Sequence, residues 1–292
     1  MIVDGLSGPT QFVDGPTGSL LIAQLNGEED ASLGQILDVD LASQKRSVLI
    51  SGLDKPTGVA WLNGYLWVME RRRLVRAKWD GPGTRPGALE PMVDNLPFNG
   101  RSEGTLTVTP DQKLLYETTG SIEGGKVVEG SGVLWVFDPV TKKSSKVAIG
   151  LKNAYAHAFF ADGRLATVDI GDNIDSAPVD ELNVIPHGRT GPAQFGWPDC
   201  PGDKVCSNVI SPLATFDPHA TPSGVAVNTK YAYVTLFVTG EIRRISLNGK
   251  ETNAPQSTIA SGLEGPHTIA FRPDGALWVS EHLANRIIAI NP

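Results

Sequence analysis

The chain has few of the features that mark membrane, fibrous or nucleic-acid-binding proteins. No stretch of its 292 residues approaches the roughly 18 consecutive apolar residues that span a bilayer, so no membrane span is expected. The first ten residues, MIVDGLSGPT, carry neither the charged nor the apolar region of an export signal. No block of five like charges occurs and the net charge is -7, which argues against a phosphate-backbone partner. The basic run Arg71, Arg72, Arg73, Arg76 and Lys78 is broken by Leu74 and Val75 and reads as the solvent face of a strand pair. With 2 cysteines there is no disulfide scaffold, and no helix-period segment of ordinary length stands out.

What the chain does have is turn chemistry and repetition. It holds 32 Gly and 21 Pro with 40% hydrophobic residues, the balance of a folded, turn-rich protein. One phrase recurs: Gly-Leu or Asn-Leu, a short polar step, an apolar strand, a turn and an alternating strand. It occurs at 52–70 (GLDKPTGVAWLNGYLWVME), 95–116 (NLPFNGRSEGTLTVTPDQKLLY) and 150–169 (GLKNAYAHAFFADGRLATVD). It returns at 221–236 (TPSGVAVNTKYAYVTL) and 262–281 (GLEGPHTIAFRPDGALWVSE), and a degenerate copy at 5–24 makes six. Each copy is followed by an alternating third strand, such as GQILDVDL or GEIRRISL, and a more variable fourth. Six repeats of four short antiparallel strands predict an all-β, six-bladed β-propeller spanning 1–292. The last repeat stops at its third strand while residues 2–4 precede the first Gly-Leu, so both termini are expected to share one blade. The Pro/Gly-rich stretch 171–218 is read as a long loop insertion. Within it Cys200 and Cys206, without His neighbours, are expected to form a disulfide.

In a propeller, residues that begin each first strand and end each second strand gather at one mouth of the central channel. The second-strand ends are Gln24, Glu70, Thr118, Asp169, Phe237 and Glu281. The first-strand starts give Arg101, Glu103, Lys152, Asn153, His157 and His267. Convergent polar groups in a concavity predict a small-molecule site. Gly100-Arg-Ser102-Glu-Gly104 matches a nucleophile-elbow pattern, but the hairpin text that follows lacks the strand-to-helix turn the motif needs. The five histidines show no pair at metal-ligand spacing within one element.

The fourth repeat carries the most specific text: Lys152-Asn153, then AFFADGRLATVDIGD, then Asp180-Glu-Leu-Asn183, then Gln194-Phe-Gly-Trp-Pro198. With Asp217-Pro-His-Ala-Thr-Pro-Ser-Gly224 and 106–116, this resembles the glucose/sorbosone dehydrogenase family, the soluble quinoprotein sugar dehydrogenases. The resemblance covers 99 to the C-terminus. It implies a structural Ca²⁺ at Asp180, Glu181 and the Phe195 carbonyl, a cation suited to a donor set of carboxylates and carbonyls. It also implies pyrroloquinoline quinone as cofactor, near Lys152, Asn153, His267 and a second Ca²⁺ at the turn of Gly171 and Asp172. The family's catalytic His falls on Arg101, a poor base, so Asp169, His157 and Glu103 enter as alternative bases. The family's cofactor Lys falls on Phe237, and its pair of Arg falls on Gly265 and His267. The expected function is therefore a sugar dehydrogenase-like oxidoreductase with diverged catalytic and cofactor positions, acting on a sugar or polyol. The alternatives are a propeller lactonase holding a metal on Glu70, Asp169 and Glu281, or a propeller that binds a ligand or partner without catalysis. A disulfide between Cys200 and Cys206 would imply an oxidising compartment, so a secreted or periplasmic location is expected.

Overall fold

A computed structural model describes the whole chain except residues 29–30, 101–103, 172–178, 203–205 and 248–251. Among the described residues there is no α-helix, only a short 3₁₀ turn at Pro16–Gly18. The strands form six blades. Blade 1 is Pro9–Asp14, Ser19–Gln24, Gly34–Asp40 and Arg46–Leu53, and blade 2 is Gly58–Leu62, Tyr65–Glu70, Arg73–Lys78 and Glu90–Val93. Blade 3 runs Thr107–Val108, Leu114–Thr118, Val133–Asp138 and Lys143–Ile149. Blade 4 is Ala156–Phe159, Leu165–Asp169, Asp180–Ile185 and Ala214–Phe216. Blade 5 is Pro222–Val227, Tyr231–Leu236, Glu241–Ser246 and Gln256–Ala260. Blade 6 holds Pro266–Phe271, Leu277–Glu281 and Arg286–Ile290.

The second strands are buried along nearly their whole length, as Ser19–Gln24 is, because each is flanked on both edges and packed on both faces. Local sequence makes the hairpins. Leu62 pairs with Tyr65 across Asn63-Gly64, both at positive φ (52° and 76°), the two-residue turn whose twist matches that of the strands. Apolar side chains then gather into six clusters, one for each blade-to-blade interface. Leu21 and Ile36 meet Val59 and Leu66 between blades 1 and 2, for example, and Tyr233 and Ile242 meet Ile269 and Val279 between blades 5 and 6. Each such side chain contributes about 1.5–3 kcal/mol when fully buried.

The ring closes as the sequence predicts. Val3, wholly buried, pairs antiparallel with Ile287, whose N–H donates to the Val3 carbonyl at 2.7 Å. The N-terminal segment so supplies the outer edge of blade 6, and no blade interface is left open among the described residues.

The stretch expected as one long loop is only partly loop. It contains the third and fourth strands of blade 4, and Ala193–Gln194 adds in parallel to the outer strand of blade 3. A disulfide joins Cys200 and Cys206, as expected, with their Cα atoms 6.5 Å apart.

Candidate functional site

The acidic residues ending the second strands do structural work before any functional work. The buried Glu70 carboxylate accepts the Asp54 N–H at 2.8 Å and pairs with Arg73 at 2.6 Å. Glu281 repeats this in blade 6, accepting the Glu264 N–H at 2.9 Å and pairing with Arg286 at 2.5 Å. In blade 1 Gln24 accepts the Ser7 N–H at 3.0 Å and donates to Gln35. The residue two after the first residue of the Gly-Leu phrase is thus tied to the end of the second strand, which in turn is tied to the start of the third. Glu70 and Glu281 are wholly buried and neutralised in separate blades, so the metal site expected of a lactonase on Glu70, Asp169 and Glu281 is not assembled.

Blade 4 breaks this pattern. Asp169 occupies the same place and accepts the N–H groups of Lys152 (3.0 Å) and Asn153 (2.5 Å). Its partner on the third strand, where blades 2 and 6 have arginine, is Glu181. Asp180 lies next to it, accepting the N–H groups of Gly171 and Thr221, both at 2.7 Å. Glu181 accepts from Gly202 N–H at 2.5 Å and Asn183 Nδ2 at 2.8 Å. Burial first, then repulsion from Glu181, raises the Asp169 pKa well above its ordinary value. Burial, with Asp180 adding to it, pushes Glu181 up to about 7. Beside them is a void of about 10 Å³, the space of a single small ion or water, lined by Asp169, Gly171, Glu181 and Phe195. The buried Asn183 Oδ1 has no partner among the described residues. Two of these carboxylates, Asp169 and Glu181, face the void with no guanidinium between them, and buried oxygens of this kind suit a hard cation better than an empty pocket. Among the described residues no three His, Cys, Asp or Glu side chains converge on one point, so backbone carbonyls must complete any coordination sphere.

The channel mouth opens into a cavity of about 760 Å³, of the size that encloses small-molecule ligands. The inner-strand starts supply Thr10, Thr57, Asn153, Tyr155, Ser223 and His267. Loops that follow second strands supply Leu25, Ile170, Phe237 and His282, and Lys55, Glu28 and Asn99 complete the charged and polar rim. The rings form one wall. His267 meets Tyr155 edge-on at 5.2 Å between centroids and Phe237 at 5.9 Å, and it lies nearly parallel to His282 at 5.7 Å. Tyr155 Oη is 3.1 Å from His267 Nε2. Burial, with His282 adding to it, lowers the His267 pKa to about 3, so this ring is neutral. The buried Asn153 Oδ1 has no partner among the described residues.

Several expected site residues lie elsewhere. Arg101, Glu103 and Asp172 fall outside the described residues. Lys152 does not line the cavity: its ammonium donates to the Gly120 carbonyl at 2.8 Å and sits over the Trp197 ring. Gly120 makes room for that ring, since a Cβ there would meet it at 2.8 Å. His157 lines a separate cavity of about 400 Å³ deeper along the inner strands. Burial lowers its pKa to about 4, its Nδ1 lies 3.3 Å from Thr107 Oγ1, and its Nε2 has no partner among the described residues. Thr10, Thr57, Ser223 and His282 were not anticipated. A signal for three of them is present, because Pro9-Thr10, Pro56-Thr57, Pro222-Ser223 and Pro266-His267 repeat one proline-polar pair at the start of four inner strands.

No protein-family model and no curated protein sequence matches the chain. Solved structures do match. The PQQ-bound aldose sugar dehydrogenase of Streptomyces coelicolor superposes with a TM-score of 0.79 at 21% identity, over 97% of this chain and 91% of that one. A putative oxidoreductase (glucose dehydrogenase) of Thermus thermophilus gives 0.81 at 19% identity, over 97% and 93%. A calcium structure of the Trichoderma reesei carbohydrate-active enzyme of family AA12 gives 0.79 at 17%, over 100% and 95%. The chain has the fold of these six-bladed propellers from end to end, in agreement with the likeness read from its fourth repeat.

Proposed function

We propose that this protein is a sugar dehydrogenase-like oxidoreductase of the quinoprotein type, with diverged catalytic and cofactor positions, whose chamber is the 760 Å³ mouth cavity. The observation that carries the reading is the end-to-end likeness to sugar dehydrogenases, combined with a cavity at the channel mouth that Asn153 and His267 line. A small sugar or polyol is the substrate class. Its hydroxyls meet acceptors in the cavity, and the Tyr155 and His267 pair provides a neutral relay beside them. A substrate hydroxyl there can donate a hydrogen bond to the Asn153 carbonyl oxygen, which lines the same cavity.

Pyrroloquinoline quinone, the cofactor implied by the fold, is a flat tricarboxylate. The described residues of the cavity do not fit three carboxylates. Lys55 is the one cation among them and Glu28 balances it, while Phe237, Gly265 and His267 stand where the resemblance expects Lys and Arg. No step is assigned to that quinone.

Calcium fits blade 4 better. The cation would sit in the small void, held by Glu181 and the Phe195 carbonyl against Asp169, with Asp180 beside it anchored by the N–H groups of Gly171 and Thr221, and would fix the long segment of blade 4. The Cys200–Cys206 disulfide supports a secreted or periplasmic location, where such bonds persist. Among the described residues no helix is long and apolar enough to cross a membrane. The test of function is reduction of an electron acceptor by the Ca²⁺-loaded protein with an aldose and polyol panel, run with pyrroloquinoline quinone and, separately, with uncharged ortho-quinones. Sugar-dependent reduction with either class supports the reading, and none with both refutes it.

A further inference from the structure

The polar floor of the mouth cavity has an uneven hydrogen-bonding character. A hydroxyl has one proton to donate. Thr10 Oγ1 donates to the Pro56 carbonyl at 2.7 Å, Thr57 Oγ1 to the Gly104 carbonyl at 3.1 Å, and Ser223 Oγ to the Pro266 carbonyl at 2.8 Å. All three hydroxyls therefore offer a ligand lone pairs only. Asn153 adds a buried carbonyl oxygen with no partner among the described residues. These four oxygens seek donors, while the donors beside them are the Asn153 amide N–H groups and the Lys55 ammonium, and a carboxylate is an acceptor only.

The wall opposes carboxylates as well. Phe237, His267 and His282 present ring faces and edges, and the rings are fixed by close packing. Gly265, at φ +62°, is part of that packing: a Cβ there would come within 3.0 Å of the Phe237 ring. A long cationic side chain at 265 would displace the aromatic residue that closes the wall. The described lining supplies one cation, Lys55, against three carboxylates.

We propose that the mouth cavity binds an uncharged, planar aromatic ortho-diol, the reduced form of an ortho-quinone, in preference to any polycarboxylate aromatic. Its ring lies face to face with one of the Phe237 and His267 rings and meets the other edge-on, since the two stand perpendicular at 89°, and its two hydroxyls donate to the acceptor floor of Asn153, Thr57 and Ser223. The proposal rests on the reading of this cavity as the oxidoreductase chamber, but it is tested by binding alone.

The experiment is calorimetric titration of the purified protein at pH 7 with four probes: naphthalene-2,3-diol, its dimethyl ether, naphthalene-2,3-dicarboxylate and pyrroloquinoline quinone. The diol is expected to bind, and the ether, which has the same ring but no donor, at least roughly tenfold more weakly because acceptors then face acceptors. The dicarboxylate and the quinone are expected to bind weaker still. Phe237→Lys is expected to raise dicarboxylate affinity and lower diol affinity, with its thermal midpoint recorded to confirm folding. Dicarboxylate or pyrroloquinoline quinone binding as tightly as the diol, ether matching diol, or no diol binding overturns the proposal on the unmodified protein alone. Failure of the functional reading looks different: turnover with neither quinone class leaves the binding order standing, whereas turnover driven by tightly bound pyrroloquinoline quinone keeps the function and overturns this inference.

Discussion

Replacing Glu181 with arginine tests how blade 4 is held together. Blades 2 and 6 fasten the end of their second strand with a buried Glu–Arg pair, and blade 4 opposes Asp169 with Glu181 instead. A bound Ca²⁺ would serve where those guanidinium groups do. At a free concentration one hundred times its dissociation constant, such a cation stabilises the fold by about 2.7 kcal/mol. The unfolding entropy of a 292-residue domain is about 0.6 kcal/mol/K, so chelation should lower the thermal midpoint by roughly 4 °C. The double variant Asp169→Glu, Glu181→Arg recreates the pair of blades 2 and 6. It is expected to melt at or above the chelated wild type and to show no response to Ca²⁺ or chelator. Calorimetric melting with and without EDTA reads both. A wild-type midpoint unmoved by chelation, with no metal in elemental analysis, would refute the cation, and a double variant that still responds to Ca²⁺ would refute its placement.

Three further outcomes follow from the geometry. His157 and His267 are held neutral, with pKa values lowered from 6.5 to about 4 and about 3, so below pH 6.5 the unfolded chain takes up protons that the native chain refuses. Their contribution is fully present above pH 6.5 and is lost as pH falls toward 4, at about 1.4 kcal/mol per pH unit for each ring; His157→Gln should lessen this slope in denaturant titrations from pH 7 to 4.5, and an unchanged slope would count against the buried neutral ring. Reducing the Cys200–Cys206 bond removes a short loop constraint worth about 2 kcal/mol, to be read as a fall in midpoint with reductant that Cys200→Ser, Cys206→Ser reproduces without it. Gly224→Ala places a Cβ about 2.2 Å from the His267 carbonyl across blades 5 and 6, so it should destabilise by more than about 2 kcal/mol, and a wild-type midpoint would show that the two inner strands separate more readily than this packing implies.

The fold was legible because a propeller writes the same hairpin six times, and the turn residues and strand alternation need no long-range information. The ring closure through Val3 was legible for the same reason, as a missing fourth strand at one end and a spare one at the other. Roles were harder. Glu70 and Glu281 sit where mouth residues belong, yet each is claimed by an arginine on the next strand, Arg73 and Arg286, and that pairing depends on register across a turn. The same register puts Glu181 opposite Asp169, which makes a carboxylate cluster out of two motifs that look separate in the sequence. Lys152 and Asn153 are neighbours, but one turns outward to Gly120 and Trp197 while the other lines the cavity, because backbone N–H groups of both are pinned on Asp169. His157 and Tyr155 stand two residues apart along one inner stretch, so depth in the channel separates them: Tyr155 reaches the mouth cavity and His157 the inner one. The proline-polar pairs that set the cavity floor were in plain view and become meaningful only once the inner strands share an axis.

The most direct test of the central claim, that the mouth cavity is an oxidoreductase chamber, is sugar-dependent reduction of a dye acceptor by Ca²⁺-loaded protein supplied with a quinone, compared with Leu25→Trp, which fills the rim of that cavity. The account predicts reduction that depends on both sugar and quinone in the wild type and is lost in the variant, whose melting stays unchanged. Reduction that persists with the cavity filled, or no reduction by the wild type with any quinone or sugar, would contradict it.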